Sequence, residues 1–224
     1  SIGGYRGEPR QKPPFPTTHG LFAQPKAINN IETLVATVDV LSRGAAAFTA
    51  AGTEGSTGTK LFSISGSVDT PGVYEVPFGT SLGDLIDMAG GNTGGIGAIL
   101  LGGAAGTFVT SDDLDLKLSL EDAAATGATL GSGAVVVFDD HTDFGPVVRR
   151  IAGFFRDESC GKCVPCRVGT VRQEEALIRL GTGQVLDSVA TELELLSDLD
   201  STMTHASICG LGRTAASAVR SAIA

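Results

Sequence analysis

Tryptophan is absent from these 224 residues, tyrosine occurs twice, histidine three times and cysteine only four times. No Lys/Arg cluster interleaved with aromatic residues appears, and 25 acidic against 16 basic residues leave a net charge of −9. That balance argues against nucleic acid as a partner. Long apolar runs are missing too. The longest, 96–101 and 134–138, fall far short of the roughly 20 residues needed to cross a bilayer. No direct membrane insertion is expected, and no signal-peptide pattern opens the chain. What remains, 42% hydrophobic and 18% charged residues, is enough to bury a core and fits one to three small domains.

The few cysteines are not scattered. Cys160, Cys163 and Cys166 form a C-x-x-C-x-x-C run, and Cys209 stands alone 43 positions beyond Cys166. An iron-sulfur cube offers four iron corners, so a tight run can hold three while a distant cysteine reaches the fourth. Lys162, Arg167 and Arg172 lie near enough in sequence to offset thiolate charge, Gly161 lets the backbone bend its N–H groups toward sulfur, and Pro165 stiffens the approach to the third cysteine. A structural zinc site is the weaker alternative, because zinc sites normally pair their ligands two and two and no histidine lies in the run. Disulfides are weaker still, since thiols this closely grouped cannot staple distant elements. Clustered free thiols suit a reducing compartment. Of His19, His141 and His205, only His205, four residues before Cys209, is near the motif.

Along the chain, the first 25 residues hold five of the nine prolines and read as an extended arm. Apolar residues at Ile31, Leu34, Val35, Val38 and Leu41 predict a helix within 30–48. From Leu61 the period changes to two: Phe62, Ile64 and Val68 share a face, Asp69-Thr70-Pro71-Gly72 turns, and a second strand runs through Tyr74 and Val76. Ser81 is placed to cap a helix carrying Leu82, Leu85, Ile86 and Ala89, stopped by Gly90-Gly91. Further strands near 99–101 and 108–109 complete a β-grasp pattern. The glycines of 90–106 follow a helix and lead into a strand without G-x-G-x-x-G spacing, which argues against a nucleotide loop. After an apolar strand at 134–138 the sequence turns helical. Pro146 is read as a first helical position with Val147, Ile151, Phe154 and Phe155 on one face. Thr170-x-x-Gln173 has capping-box form for a helix ending at Gly181. Val185, Val189, Leu193 and Leu196 mark a third helix, and Ala216, Val219 and Ile223 a fourth. The expected class is α+β: an N-terminal arm and helix (1–55), a β-grasp domain (60–112) and a helical bundle around the cysteines (142–224).

The string ESCGKCVPCRVG at 158–169 resembles the cluster signature of the NADH-binding flavoprotein subunits of respiratory complex I. That family also includes the diaphorase subunits of NAD-linked hydrogenases and formate dehydrogenases. RGEPR at 6–10, KPPFP at 12–16 and Asn29-Asn30-Ile31-Glu32-Thr33-Leu34 are similar to family segments in the family's order, so the resemblance covers essentially the whole chain. It implies the end of a flavin domain, a ubiquitin-like domain of the SLBB type and a helical domain binding a [4Fe-4S] cluster through Cys160, Cys163, Cys166 and Cys209. It also places Asn29 and Asn30 at the phosphate side of FMN, although capping the helix that begins near Ile31 explains them equally well.

The resemblance further implies NADH dehydrogenase activity in the whole protein. NADH would reduce FMN, and electrons would pass through the cluster to iron-sulfur partner subunits of a multi-subunit dehydrogenase. No catalytic acid, base or nucleophile is required. The family's NADH segment and most of its FMN pocket lie upstream of Ser1, so the chain is expected to be a C-terminal piece that lacks the NADH site, or else a separate small subunit. The ending Ser207-Ile208-Cys209-Gly210-Leu211-Gly212 is more similar to the hydrogenase and formate dehydrogenase branch. The expected location is cytoplasmic, with any contact with the inner membrane made on its cytoplasmic side through partners. Two other readings stay open: a flavin-free iron-sulfur adaptor, and a zinc-stabilised interaction module.

Overall fold

The computed structural model describes Gly4, residues 6–92 and residues 94–223. Among the described residues up to Asn30 the arm has no regular element beyond a single 3-10 turn at Leu21–Ala23, in keeping with its prolines. Helix α1 (Ile31–Arg43) begins where the Asn30 side-chain oxygen accepts from the Glu32 N–H at 2.8 Å. Gly44, at φ +87°, ends it and redirects the chain into the short α2 (Ala45–Thr49). Such a turn is open to glycine and costly for other residues. Glu32 also pairs with Lys60 at 2.7 Å, fastening α1 to the sheet through a lysine that is itself buried.

Strands β1 (Thr59–Gly66) and β2 (Gly72–Pro77) form the expected antiparallel hairpin, with Phe62 paired to Tyr74 and Lys60 to Val76. From Lys60 to Ile64 every second residue of β1 is buried, which is why its period reads so clearly in the sequence. Helix α3 (Leu82–Met88) starts at Ser81, whose hydroxyl accepts from the Asp84 N–H at 3.0 Å. Then come β3 (Ile96–Leu101), β4 (Thr107–Val109), α4 (Leu120–Ala125) and β5 (Ala134–Asp139).

The sheet order is β2-β1-β5-β3-β4. β5 lies at its centre, parallel to β1 and antiparallel to β3, so the sheet reaches well past the 60–112 span that the local pattern suggested. A strand's neighbours are set by its side chains' burial on both faces, and an all-apolar strand such as Val135-Val136-Val137 carries that information without naming a partner.

The two faces of the sheet have different tasks. Phe62, Ile64, Val76, Ile99, Leu101, Val135 and Val137 pack with Leu82, Leu85 and Ile86 of α3 in the main core. Leu100, Val136 and Phe138 point the other way, toward the C-terminal helices, where they meet Ile151, Phe155, Met203 and Ala215. The bundle is thereby seated on the sheet.

The bundle contains α5 (Phe144–Glu158), α6 (Val164–Thr182), α7 (Val189–Ala206), α8 (Gly210–Thr214) and α9 (Ser217–Ile223). Several expectations shift here. Asp143 caps α5 by accepting from the Gly145 N–H, so Pro146 stands in the first turn rather than at its first position. The buried stripe of α5 is Val148, Ile151, Ala152 and Phe155, and Phe154 is turned to solvent. Helix α6 starts at Val164, six residues before Thr170. Thr170 is therefore no cap, and its hydroxyl donates to the Cys166 carbonyl one turn back at 2.8 Å. Ser188 caps α7, which leaves Val185 outside the helix. Val189, Leu193 and Ile223 face outward.

Close approach of α6 to α7 depends on Gly169, where a Cβ would lie 2.6 Å from Met203 Cγ. Arg179 and the buried Glu192 join the same two helices by a bidentate pair, 2.6 and 2.7 Å. Nothing in the local sequence pattern announces that pair.

Candidate metal centre

Cys160 and Cys163 lie in the loop between α5 and α6, Cys166 in the first turn of α6, and Cys209 immediately before α8. All four line one pocket with about 380 Å³ of free space, part of it open to solvent. The local sequence explains this convergence. Gly161, at φ +77°, reverses the backbone between the first two cysteines. Val164 and Pro165 open α6, because a proline in the first turn forfeits no helical hydrogen bond. Cys163 and Cys209 both sit at the N-cap positions of helices. Helix starts leave backbone N–H groups without intrahelical partners, and those around Cys163 favour its thiolate.

The electrostatics differ from one sulfur to the next. Burial pushes the Cys163 thiol up, but backbone N–H groups of Ile208, Cys166 and Cys163 itself, with the Ser207 hydroxyl, outweigh it and hold the thiol below its ordinary value. The Ser207 Oγ itself has no hydrogen-bond partner. Burial is the main cause that raises the Cys166 thiol. The Ser159 hydroxyl, 3.3 Å away, opposes the rise, and the three other cysteines add to it. Mutual repulsion among four sulfurs is the mark of a site that becomes comfortable only when a cation stands between them.

Among the described residues no three His, Cys, Asp or Glu side chains gather closely enough to hold a single metal ion. The four cysteines border one pocket. A lone zinc needs its sulfurs about 2.3 Å from one centre, whereas an iron-sulfur cube presents separate irons to separate cysteines. The donor set is all sulfur, which suits iron-sulfur chemistry. His205 is exposed in the last turn of α7 and does not line the pocket.

The basic residues near the motif divide by position. Lys162 lines the pocket and pairs with Glu8 at 3.1 Å. Arg167 donates to the Gly161 carbonyl at 2.7 Å and so steadies the loop. Arg172 points away into a pair with Glu175. The N-terminal arm, which the sequence offers only as an extended segment, forms a wall: Gly7 and Pro9 line the pocket, and Arg6 donates to the Ser159 carbonyl at 2.6 Å. Asn29 and Asn30 are exposed, and Asn30 spends its side-chain oxygen on the α1 cap.

Residues 146–224 match the NADH-ubiquinone oxidoreductase-F iron-sulfur binding region, and residues 61–99 match the SLBB domain. The NADH-quinone oxidoreductase F-subunit of Mycobacterium tuberculosis (strain ATCC 25618 / H37Rv) is 39% identical over 225 residues, covering 100% of this chain and 50% of that protein. The NADP-reducing hydrogenase subunit HndC of Solidesulfovibrio fructosivorans is 37% identical over 217 residues, covering 96% of this chain and 44% of that protein. A crystal structure of an NAD+-reducing [NiFe]-hydrogenase in the H2-reduced state superimposes with a TM-score of 0.87 at 38% identity, covering 96% of this chain and 36% of that one. The chain spans about half the length of the curated relatives it matches.

Proposed function

Because the chain carries an SLBB domain and the iron-sulfur binding region of NADH-ubiquinone oxidoreductase F, we propose that it holds a [4Fe-4S] cluster and relays electrons from a flavin to iron-sulfur partner subunits. Cys160, Cys163, Cys166 and Cys209 are the ligands in this reading. The observation that carries it is the gathering of every cysteine in the chain, three neighbours and one distant, around a single pocket.

When bound, the cluster supplies one-electron chemistry to a donor pair that delivers two. The protein's own part is to hold and shield. Helix starts and the Ser159 hydroxyl offer N–H and O–H groups to the sulfurs, Lys162 brings positive charge, and the arm keeps bulk water from one side. No proton transfer and no nucleophile are required of these residues.

In the whole protein the electrons would come from NADH through FMN, and Asn29 with the free amide N–H groups of Asn30 would sit at the phosphate side of that flavin. Two asparagines are too few contacts for a whole FMN, so this chain alone is expected to purify without flavin. Relatives of the quinone-reducing and hydrogenase kinds match at similar identity, and the branch is decided by which partner accepts the electrons. Among the described residues no helix is long and apolar enough to cross a membrane. The proposed location is cytoplasmic, with any attachment to the inner membrane made through partner subunits.

The test is iron and acid-labile sulfide content on anaerobically prepared protein, with low-temperature EPR before and after dithionite. About four irons and four sulfides per chain with a signal that appears on reduction is the expected result. Zinc without sulfide would overturn the proposal in favour of a structural docking module.

A further inference from the structure

Ser207 is the residue between the end of α7 and the Ile208-Cys209 step, and it breaks the rule that buried polar groups find partners. It is 2% exposed, yet its Oγ has no hydrogen-bond partner. Its backbone, by contrast, is fully engaged. The N–H donates to the Met203 carbonyl at 3.2 Å, and the carbonyl accepts from Arg213 Nε at 3.0 Å. The side chain is thus held in place by contacts that have nothing to do with its hydroxyl.

Its surroundings point to what the hydroxyl is for. A Cβ at residue 212 would lie 2.5 Å from Ser207 Oγ and 2.9 Å from Cys166 Cβ, so the glycine there makes room for Ser207 against the cysteine set. The next two residues, Ile208 and Cys209, line the pocket together with Cys163 and Cys166. Across the pocket Ser159 Oγ already contacts Cys166 Sγ. An unspent donor, shut off from water and packed beside the cysteine set, lacks only an acceptor carrying negative charge.

We propose that Ser207 is a positioning residue whose hydroxyl donates to a sulfur of the bound cluster and raises the cluster's reduction potential. The inference rests on the [4Fe-4S] reading given above. Its sign follows from charge. The added electron makes the sulfurs better acceptors, so a donor stabilises the reduced form more than the oxidised one. Removing the donor makes reduction harder.

The experiment compares the wild-type chain with Ser207→Ala, Ser207→Gly and Ser207→Thr, each loaded anaerobically with iron and sulfide and titrated potentiometrically with EPR detection. Ser207→Ala and Ser207→Gly are expected to carry the wild-type iron content with a more negative midpoint. The oxidised-to-reduced ratio at a fixed potential should change about tenfold, equivalent to about 59 mV for one electron. Ser207→Thr, which keeps the hydroxyl, should stay at the wild-type midpoint.

Loaded Ala and Gly variants with unchanged midpoints would overturn the inference while leaving the cluster reading intact. Failure of both hydroxyl-free chains to take up iron would overturn it too, because Ser207 would then build the site rather than tune it. A wild-type chain without iron and sulfide would defeat the cluster reading and this inference together.

Discussion

Single residues carry most of the chemistry here, and they differ in how far the sequence discloses them. The four cysteines are legible from spacing alone, since three thiols in seven residues with one far away match a cluster better than an ion. Cys209→Ser is therefore expected to lower iron and sulfide content sharply while α5 and α6 stay folded, as read by metal analysis beside circular dichroism. Ser207 and Glu192 are invisible by contrast. Each lies within or beside an apolar helix pattern, and the meaning of each depends on a partner brought up by the fold. The Arg179 hydrogen bonds, against the opposing effect of burial, hold the Glu192 carboxyl below its ordinary value. A carboxylate depressed in the folded state contributes stability that is complete above its unfolded pKa and is lost as pH falls through the folded value. Melting temperature followed by calorimetry should accordingly fall more steeply below about pH 4.5 in the wild type than in Glu192→Gln, whose stability should already be lower at pH 7.

Elements were readable wherever their period matched a local rule. The β1–β2 hairpin and α3 stand where alternation and the Ser81 cap put them, because one face of each meets a single core. Leu85→Ala in α3 should cost about 2–5 kcal/mol, the range for a buried leucine, measured by urea unfolding. Boundaries failed where two signals competed. Thr170-x-x-Gln173 imitates a capping box, but Pro165 and the orphan N–H groups facing the sulfurs start α6 earlier.

The proline-rich arm gave no periodic signal at all, since its role is tertiary: it closes one side of the pocket through Arg6 and Glu8. In the loaded protein, Arg6→Ala combined with Glu8→Gln should speed iron release to a chelator several-fold at unchanged initial iron content. An unchanged rate would show that the arm is no barrier.

At the scale of the whole molecule the sheet is the organiser, with α3 on one face and the cysteine-bearing bundle on the other. Helix α1 is the exception. Ile31, Leu34, Val35, Val38 and Leu41 all remain more than half exposed, and an apolar surface of this kind is costly in water. The chain by itself should associate as its concentration rises, and Val35→Lys with Leu41→Lys should restore a monomer in sedimentation velocity. The helical period of α1 was plain in the sequence. Whether its stripe would be covered was not, because periodicity reports a face and not what meets it.

The separation of Cys209 from the other three cysteines has a mechanical consequence. In the proposed cluster-bound protein, the 49 positions from Cys160 to Cys209 would be a closed ring fastened by iron-thiolate bonds. Stretched from its two ends between optical traps, such a chain would pay out roughly 170 Å less contour than the metal-free one until the fastening gave way.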